Sequence, residues 1–194
     1  MSSVWSSKKE CRSFFKTRGS QEFARGLVQN QNQLSKHLHD FMSKQSGVWG
    51  AYRALTQEAH VEEVFQIPHI DWLFPRAISV KGISGNERGL EFCRVHQFVQ
   101  GSFGILEPDV SSEMVDLRHV QGLLIPGVAF DKSGHRLGKG LGFYDKALEH
   151  FTGWKVGICF DFQISEHSLP VEEHDVMMDF LISESGFIDC RKKT

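Results

Sequence analysis

Short apolar runs recur along this sequence at residues 48–52, 70–74, 90–95, 122–125, 156–160 and 180–182, several of them separated by stretches long enough to hold a helix. Runs this short and this apolar suit strands buried on both faces, and strands that alternate with helices pack as a sheet covered on either side. The run Val48-Trp49-Gly50-Ala51-Tyr52, followed by a helical turn or two over residues 58–65, is the expected beginning of a parallel sheet. Residues 6–44 lack proline, contain only Gly19 and Gly26, and space Phe14, Phe15, Phe23, Leu27, Leu34, Leu38 and Phe41 as one or two amphipathic helices require. The expected fold is α/β: a three-layer sandwich with a central, largely parallel or mixed sheet flanked by helices. No repeat, low-complexity tract or linker-like stretch divides residues 1–194, so one domain is expected, with residues 82–88 as a hairpin loop.

Composition narrows the function classes. Lys plus Arg number 22 against 24 Asp plus Glu, a formal charge of -2, which excludes a polybasic nucleic-acid binder and an acidic tail protein. Hydrophobic residues at 40%, with 16 Phe and 4 Trp to fill a core, exclude disorder as the default state. The 4 cysteines, Cys11, Cys93, Cys159 and Cys190, form neither a CxxC pair nor a dense framework, so reduced and mostly buried thiols are expected. Residues 1–18 are polar and basic, without an apolar stretch of signal-peptide length, and no later segment approaches a membrane span. A cytoplasmic protein is expected.

The chemistry concentrates in the run Pro-Gly-Val-Ala-Phe-Asp-Lys-Ser-Gly-His-Arg-Leu-Gly-Lys-Gly-Leu-Gly-Phe-Tyr-Asp, from Pro126 to Asp145, which follows an apolar strand and leads into a helix expected over residues 146–150. Strand, glycine-rich loop and helix is an order that binds phosphate. Gly138, Gly140 and Gly142 allow the backbone N–H groups to face one concavity, with Arg136 and Lys139 beside it. A plain tight turn explains the same glycines equally well. The loop is neither a Walker A motif, which ends in Gly-Lys-Ser/Thr, nor the GxGxxG of a dinucleotide fold.

This run resembles the signature of the 5-formyltetrahydrofolate cyclo-ligases, close to Pro-Gly-x-Ala/Gly-Phe-Asp-x-x-Gly-x-Arg-Leu-Gly-x-Gly-x-Gly-Tyr-Tyr-Asp, with the glycines, both aspartates, the arginine and the second tyrosine in register. Phe143 replaces the first tyrosine, keeping a ring and losing a hydroxyl. Lys8-Lys9-Glu10-Cys11-Arg12 resembles the family's opening Lys-x-x-x-Arg, whose i, i+4 spacing puts both cations on one helical face; a solvated basic helix is the competing reading. Residues 52–61 resemble a segment ending in Glu-Ile/Val-x-Thr, in which Glu58 matches the glutamate that binds folate and Val61 replaces the threonine. A helix N-terminal charge is the other reading of Glu58. Residues 102–108 resemble a Gly-x-x-Glu-Pro element, with Phe103 as the ring against the pterin or as plain core. Residues 157–163 and 169–175 resemble Gly-x-Ala-Phe-x-x-Gln and Leu-Pro-x-Glu-x-His-Asp, with Cys159 in place of the alanine.

The resemblance implies ATP-dependent cyclisation of 5-formyltetrahydrofolate to 5,10-methenyltetrahydrofolate through a phosphorylated formyl intermediate, with ADP and phosphate released. It implies Arg136, Lys139 and Tyr144 as the catalytic group, and ATP contacts from Lys8, Lys9, Arg12 and the loop Arg136, Leu137, Gly138, Lys139, Gly140, Leu141, Gly142, Phe143 and Tyr144. It further implies folate contacts from Arg53, Glu58 and Phe103, and Mg2+ held by Asp145 and Asp175. The implied partners are the two substrates alone, with neither nucleic acid nor membrane, and the implied state is a monomer. The alternative from another class is a non-catalytic nucleotide- or phosphate-binding regulatory protein on the same fold.

Overall fold

The computed structural model describes residues 5–82, 85–101 and 104–192. The helical region divides at Gly26 into α1 (Lys8–Arg25) and α2 (Val28–Met42). Ser7 starts α1, its hydroxyl accepting the Glu10 N–H at 3.2 Å, an N-cap of the kind that stabilises a helix by about 1 kcal/mol. Cys11, Phe15 and Gly19 are the buried stripe of α1. Phe14, expected on the apolar face, is 48% exposed and packs sideways on Phe15 and Trp5. Leu34, Leu38 and Met42 of α2 recur at helical spacing and are fully buried.

The strands follow as β1 (Gly47–Gly50), β2 (Ile70–Gly82), β3 (Gly85–Arg94), β4 (Phe98–Gln100), β5 (Leu106–Pro108), β6 (Glu113–Met114) and β7 (Gly122–Pro126). Next come β8 (Ala129–Asp131), β9 (Arg136–Leu137), the short helix α3 (Phe143–Leu148), β10 (Trp154–Ile158), β11 (Ile164–Ser165), β12 (Phe180–Ser183) and β13 (Gly186–Asp189). Eight strands form the main sheet in the order β13, β12, β10, β7, β1, β2, β3, β6. Its inner pairs from β12 to β2 are parallel, and the β12–β13, β2–β3 and β3–β6 pairs at the two sides are antiparallel. The mixed α/β sandwich read from the apolar runs is therefore the fold. β11, β8 and β9 make a small second sheet, and β4 with β5 makes a hairpin.

Alternation along the strands builds a core on each face of the main sheet, and a third cluster of Cys11, Phe15, Val128, Ala129, Leu137 and Leu169 packs α1 on the small sheet. Leu124, Val156, Ile158, Phe180 and Ile182 meet Leu34, Leu38 and Met42 of α2 on one face. Leu123, Ile125 and Leu181, one residue out of phase, meet Phe130, Leu148 and Phe151 on the other. Each fully buried aliphatic side chain contributes about 1.5–3 kcal/mol, so a central strand apolar on both faces gains from both sides.

Three local readings differ from the sequence expectation. Residues 82–88 belong mostly to a long antiparallel ladder, in which Gly82 pairs with Gly85 and Ser79 with Arg88; backbone pairing at a sheet margin needs no apolar signal. Residues 90–95 consequently end an antiparallel strand. Between β1 and β2 the helical stretch is a 3-10 helix at Glu62–Gln66, so Glu58 lies in the turn before it and is no helix N-terminal charge.

The chain runs from β1 to β2 on one side and later returns to β7 on the other side of β1. That reversal is a topological switch point, which leaves a crevice beyond the C-terminal ends of the two strands.

Candidate functional site

A cleft of about 440 Å3 opens at this switch point. Tyr52, Arg53 and Glu58 follow β1 into it, and Pro126 and Gly127 follow β7. The glycine-rich stretch from Arg136 to Asp145 crosses it, Lys8 and Arg12 reach it from α1, and Glu172, His174 and Asp175 complete its rim.

The loop takes its path because Gly140 and Gly142 have φ of 93° and 70°, values that residues with a Cβ rarely adopt. Gly142 is the N-cap of α3, which begins at Phe143 rather than Lys146 and so puts Asp145 in its first turn. Asp131 anchors the approach to the loop. Its Oδ1 accepts the N–H groups of Ser133 and His135 at 2.9 and 3.1 Å, and its Oδ2 meets His135 Nδ1 and the Leu169 N–H, each at 2.8 Å. Gln163 donates to the Gly127 carbonyl at 2.8 Å from below.

Every cation assigned to phosphate, apart from Lys9, already has a partner in the cleft. Lys8 Nζ lies 2.6 Å from Asp175 Oδ2 and 2.8 Å from Glu172 Oε2. Arg12 Nε donates to the Gly138 carbonyl at 2.9 Å, tying α1 to the loop. Lys139 Nζ sits 2.6 Å from Glu58 Oε1, while Glu58 Oε2 accepts the Leu55 N–H at 3.0 Å. Arg136 Nη2 meets Asp145 Oδ1 at 2.5 Å, its guanidinium lies 5.5 Å from the Tyr144 ring centre, and its buried Nε has no partner among the described residues. Arg53 rests over the rings of Phe65 and Phe98, at 5.9 and 5.3 Å, with no carboxylate within ion-pair distance among the described residues.

The electrostatics follow these contacts. Burial alone raises the Asp175 carboxyl, but hydrogen bonds from Lys8 and the Glu172 N–H outweigh it and leave the group below its ordinary value. Burial works against the Lys8 ammonium, and its two carboxylates more than compensate, so its value rises. Burial, with Glu58 nearby, pushes the Tyr144 phenol well up, which keeps it a hydrogen-bond donor at neutral pH. All 4 cysteines are buried and unpaired. Burial pushes the Cys11 and Cys190 thiols up to about 11 and raises Cys93 and Cys159 as well, which leaves no reactive thiolate near neutrality.

The cleft thus gathers Lys8, Arg12, Arg53, Glu58, Asp145, Asp175 and the loop from Arg136 to Tyr144. Lys9 is exposed on α1 and does not line it, because a residue next to Lys8 turns about 100° away around the helix. Phe103 lies outside the described residues. Val61, the residue in place of a threonine, is 1% exposed in the main core and not on the cleft, so that departure removes no polar group from the site. Sequence reasoning missed Tyr52, Pro126, Gly127, Glu107 and Glu172 as lining residues. The ends of the β1 and β7 apolar runs were the available signal for the first three.

The fold and site define a mixed α/β protein with a cation-lined glycine loop at the switch point of its sheet, and comparison with known proteins narrows the class. A profile of the 5-formyltetrahydrofolate cyclo-ligase family matches residues 4–184. The chain belongs to that family. It is 33% identical over 133 residues to the mitochondrial 5-formyltetrahydrofolate cyclo-ligase of Arabidopsis thaliana, covering 56% of this chain and 46% of that protein. It is 27% identical over 175 residues to the 5-formyltetrahydrofolate cyclo-ligase of Mus musculus, covering 82% and 79%. The 5,10-methenyltetrahydrofolate synthetase structure from Aquifex aeolicus superposes with a TM-score of 0.73 at 26% identity, covering 94% of both chains. In several of the curated relatives it matches, this chain spans about half the length.

Proposed function

We propose that this protein closes 5-formyltetrahydrofolate to 5,10-methenyltetrahydrofolate with hydrolysis of ATP to ADP and phosphate. The observation that carries the reading is the convergence in one cleft of Lys8, Arg12, Arg136 and Lys139 with Arg53 and Glu58. The formyl oxygen is a poor leaving group. It attacks the γ-phosphorus and ADP departs; N10 then adds to the formyl carbon, and the N10 proton and phosphate, which carries the former formyl oxygen, both leave. No protein nucleophile is needed, in keeping with thiols held protonated by burial.

Catalysis on this reading is positioning and charge stabilisation. Lys8, Arg12, Arg136 and Lys139 offset phosphate charge, and Tyr144 donates from its neutral phenol. Glu58 accepts N–H groups of the pterin, and Arg53, seated on Phe65 and Phe98, takes a carboxylate of the glutamate tail. Asp145 and Asp175 offer hard oxygens on the cleft, each held by one cation. That set is too thin for an all-protein magnesium cage and fits Mg2+ that keeps waters and arrives with the polyphosphate. When bound, the ion neutralises phosphate charge. The same reading has residues 1–194 acting as one cytoplasmic monomer without nucleic-acid or membrane partners; the two larger core clusters share one sheet, and no described helix is long and apolar enough to cross a membrane.

The test is growth of methenyltetrahydrofolate absorbance when the protein meets 5-formyltetrahydrofolate. Growth that requires ATP and Mg2+ is expected. ATP binding without growth would replace this reading with the regulatory nucleotide-binding one.

A further inference from the structure

Glu107 is a carboxylate in the wall of the cleft that the assignments above leave unused. It stands on β5, paired with Val99 of β4, and is 8% exposed. Its Oε2 accepts the Ala77 N–H of β2 at 3.1 Å. Gly101 backs the group so closely that a Cβ there would lie 2.4 Å from Glu107 Cδ and 2.7 Å from Oε1. Around it the cleft wall is apolar, formed by Pro75, Leu90, Ile105 and Leu106. Among the described residues no cation lies within ion-pair distance of it.

A buried carboxylate without a counter-charge is costly. Capping one backbone N–H does not require that charge, since a neutral amide or hydroxyl oxygen would accept the same bond. Glu107 therefore lines the cleft with one oxygen taken by Ala77 and no cation opposite it, so a ligand that brings N–H donors would complete its hydrogen bonding. Such a partner must bring N–H donors on a flat, largely apolar frame, because the neighbouring wall offers only apolar contact. A reduced pterin has these features, with donors at its 2-amino group, N3 and N8. Glu58, the other carboxylate of the folate side, is already compensated by Lys139 at 2.6 Å; Glu107 is not.

We infer that Glu107 is a second carboxylate recognising the N–H groups of the pterin, and so a specificity-determining residue for the folate substrate. This rests on the reading of the cleft as a folate and ATP site. Glu107→Gln keeps the acceptor for Ala77 and removes the charge; Gly101→Ala keeps the charge and displaces it. For each variant and the unaltered protein, calorimetry gives Kd for 5-formyltetrahydrofolate and for Mg-ATP, and the absorbance assay gives KM and kcat. Both variants should weaken folate binding by about 10- to 100-fold, the range for a charge-assisted hydrogen bond, and raise the folate KM with little change in kcat. Mg-ATP affinity should not move. Unchanged folate affinity in Glu107→Gln, or equal loss of both ligands, overturns the inference and leaves Glu107 as a strand cap. If Glu107→Gln does not fold, Gly101→Ala decides by the same comparison. An unaltered protein that neither binds nor turns over the folate overturns the underlying reading itself, which the wild-type arm separates from failure of Glu107 alone.

Discussion

Asp145 pairs with Arg136 in this cleft and is proposed to hold Mg2+ as well, and a stability measurement isolates the first of these roles. The Arg136 side chain is 4% exposed, Asp145 is 24% exposed, and Nη2 to Oδ1 is 2.5 Å. Without Asp145, the guanidinium retains the Pro126 carbonyl at 3.3 Å and the Tyr144 ring, while its Nε already has no partner among the described residues. Removing one member of a buried pair costs about 3–5 kcal/mol. Asp145→Ala should approach the lower end of that range, since the aspartate is partly solvated. Asp145→Asn leaves a neutral acceptor for Nη2, so its loss should be about 2 kcal/mol, a fall of about 4–8 °C in Tm for a domain of this size. The assay is urea unfolding at neutral pH with both variants and the Arg136→Met/Asp145→Ala double variant. Removing both charges should restore stability to near that of the unaltered protein, because no ion is then left buried alone. An Asp145→Ala variant within about 0.5 kcal/mol of the parent, where ordinary surface substitutions fall, would refute the claim that Arg136 depends on this carboxylate. The same variants should lose Mg-ATP turnover.

Glu58→Gln should raise the KM for 5-formyltetrahydrofolate about 10-fold or more while the KM for ATP changes less, as steady-state kinetics in each substrate will tell. The Asp175 carboxyl sits below its ordinary value of 3.8 in the folded chain; stability from its pair with Lys8 is present above that value and lost as pH falls through the lower folded-state one. Lys8→Met should therefore flatten the acid limb of stability in urea titrations below about pH 4. Gly157→Ala places a Cβ 2.6 Å from a Phe130 ring carbon and 2.7 Å from Leu181 Cδ2, and should cost about 1–3 kcal/mol by thermal melting. Chelation of divalent ions should abolish turnover and leave the melting temperature of the ligand-free protein unchanged, since Asp145 and Asp175 are satisfied by Arg136 and Lys8 without a metal.

Much of this protein is determined by residues close together in sequence. Leu123, Leu124 and Ile125 are apolar in succession because β7 is covered on both faces. Gly140 and Gly142 turn the loop because positive φ is cheap only without a Cβ. Asp131 braces that loop through groups two and four residues away. Such features depend on backbone sterics and local hydrogen bonds, which adjacent residues carry with them. Others required the fold. Whether residues 82–88 turn or pair is decided by register with β2, and the pairing of Lys8 with Asp175, Arg12 with the Gly138 carbonyl, and Lys139 with Glu58 joins segments far apart in the chain. Lys9 and Lys8 are equivalent in composition, yet only one faces the cleft. Glu107 is in the sequence only the acid of a Gly-x-x-Glu-Pro element, and becomes a buried carboxyl in the cleft wall once β5 lies against Ala77 and Gly101. Ion pairing and desolvation depend on distance in space, and that distance exists only after the chain has returned to pair β7 beside β1 at the switch point.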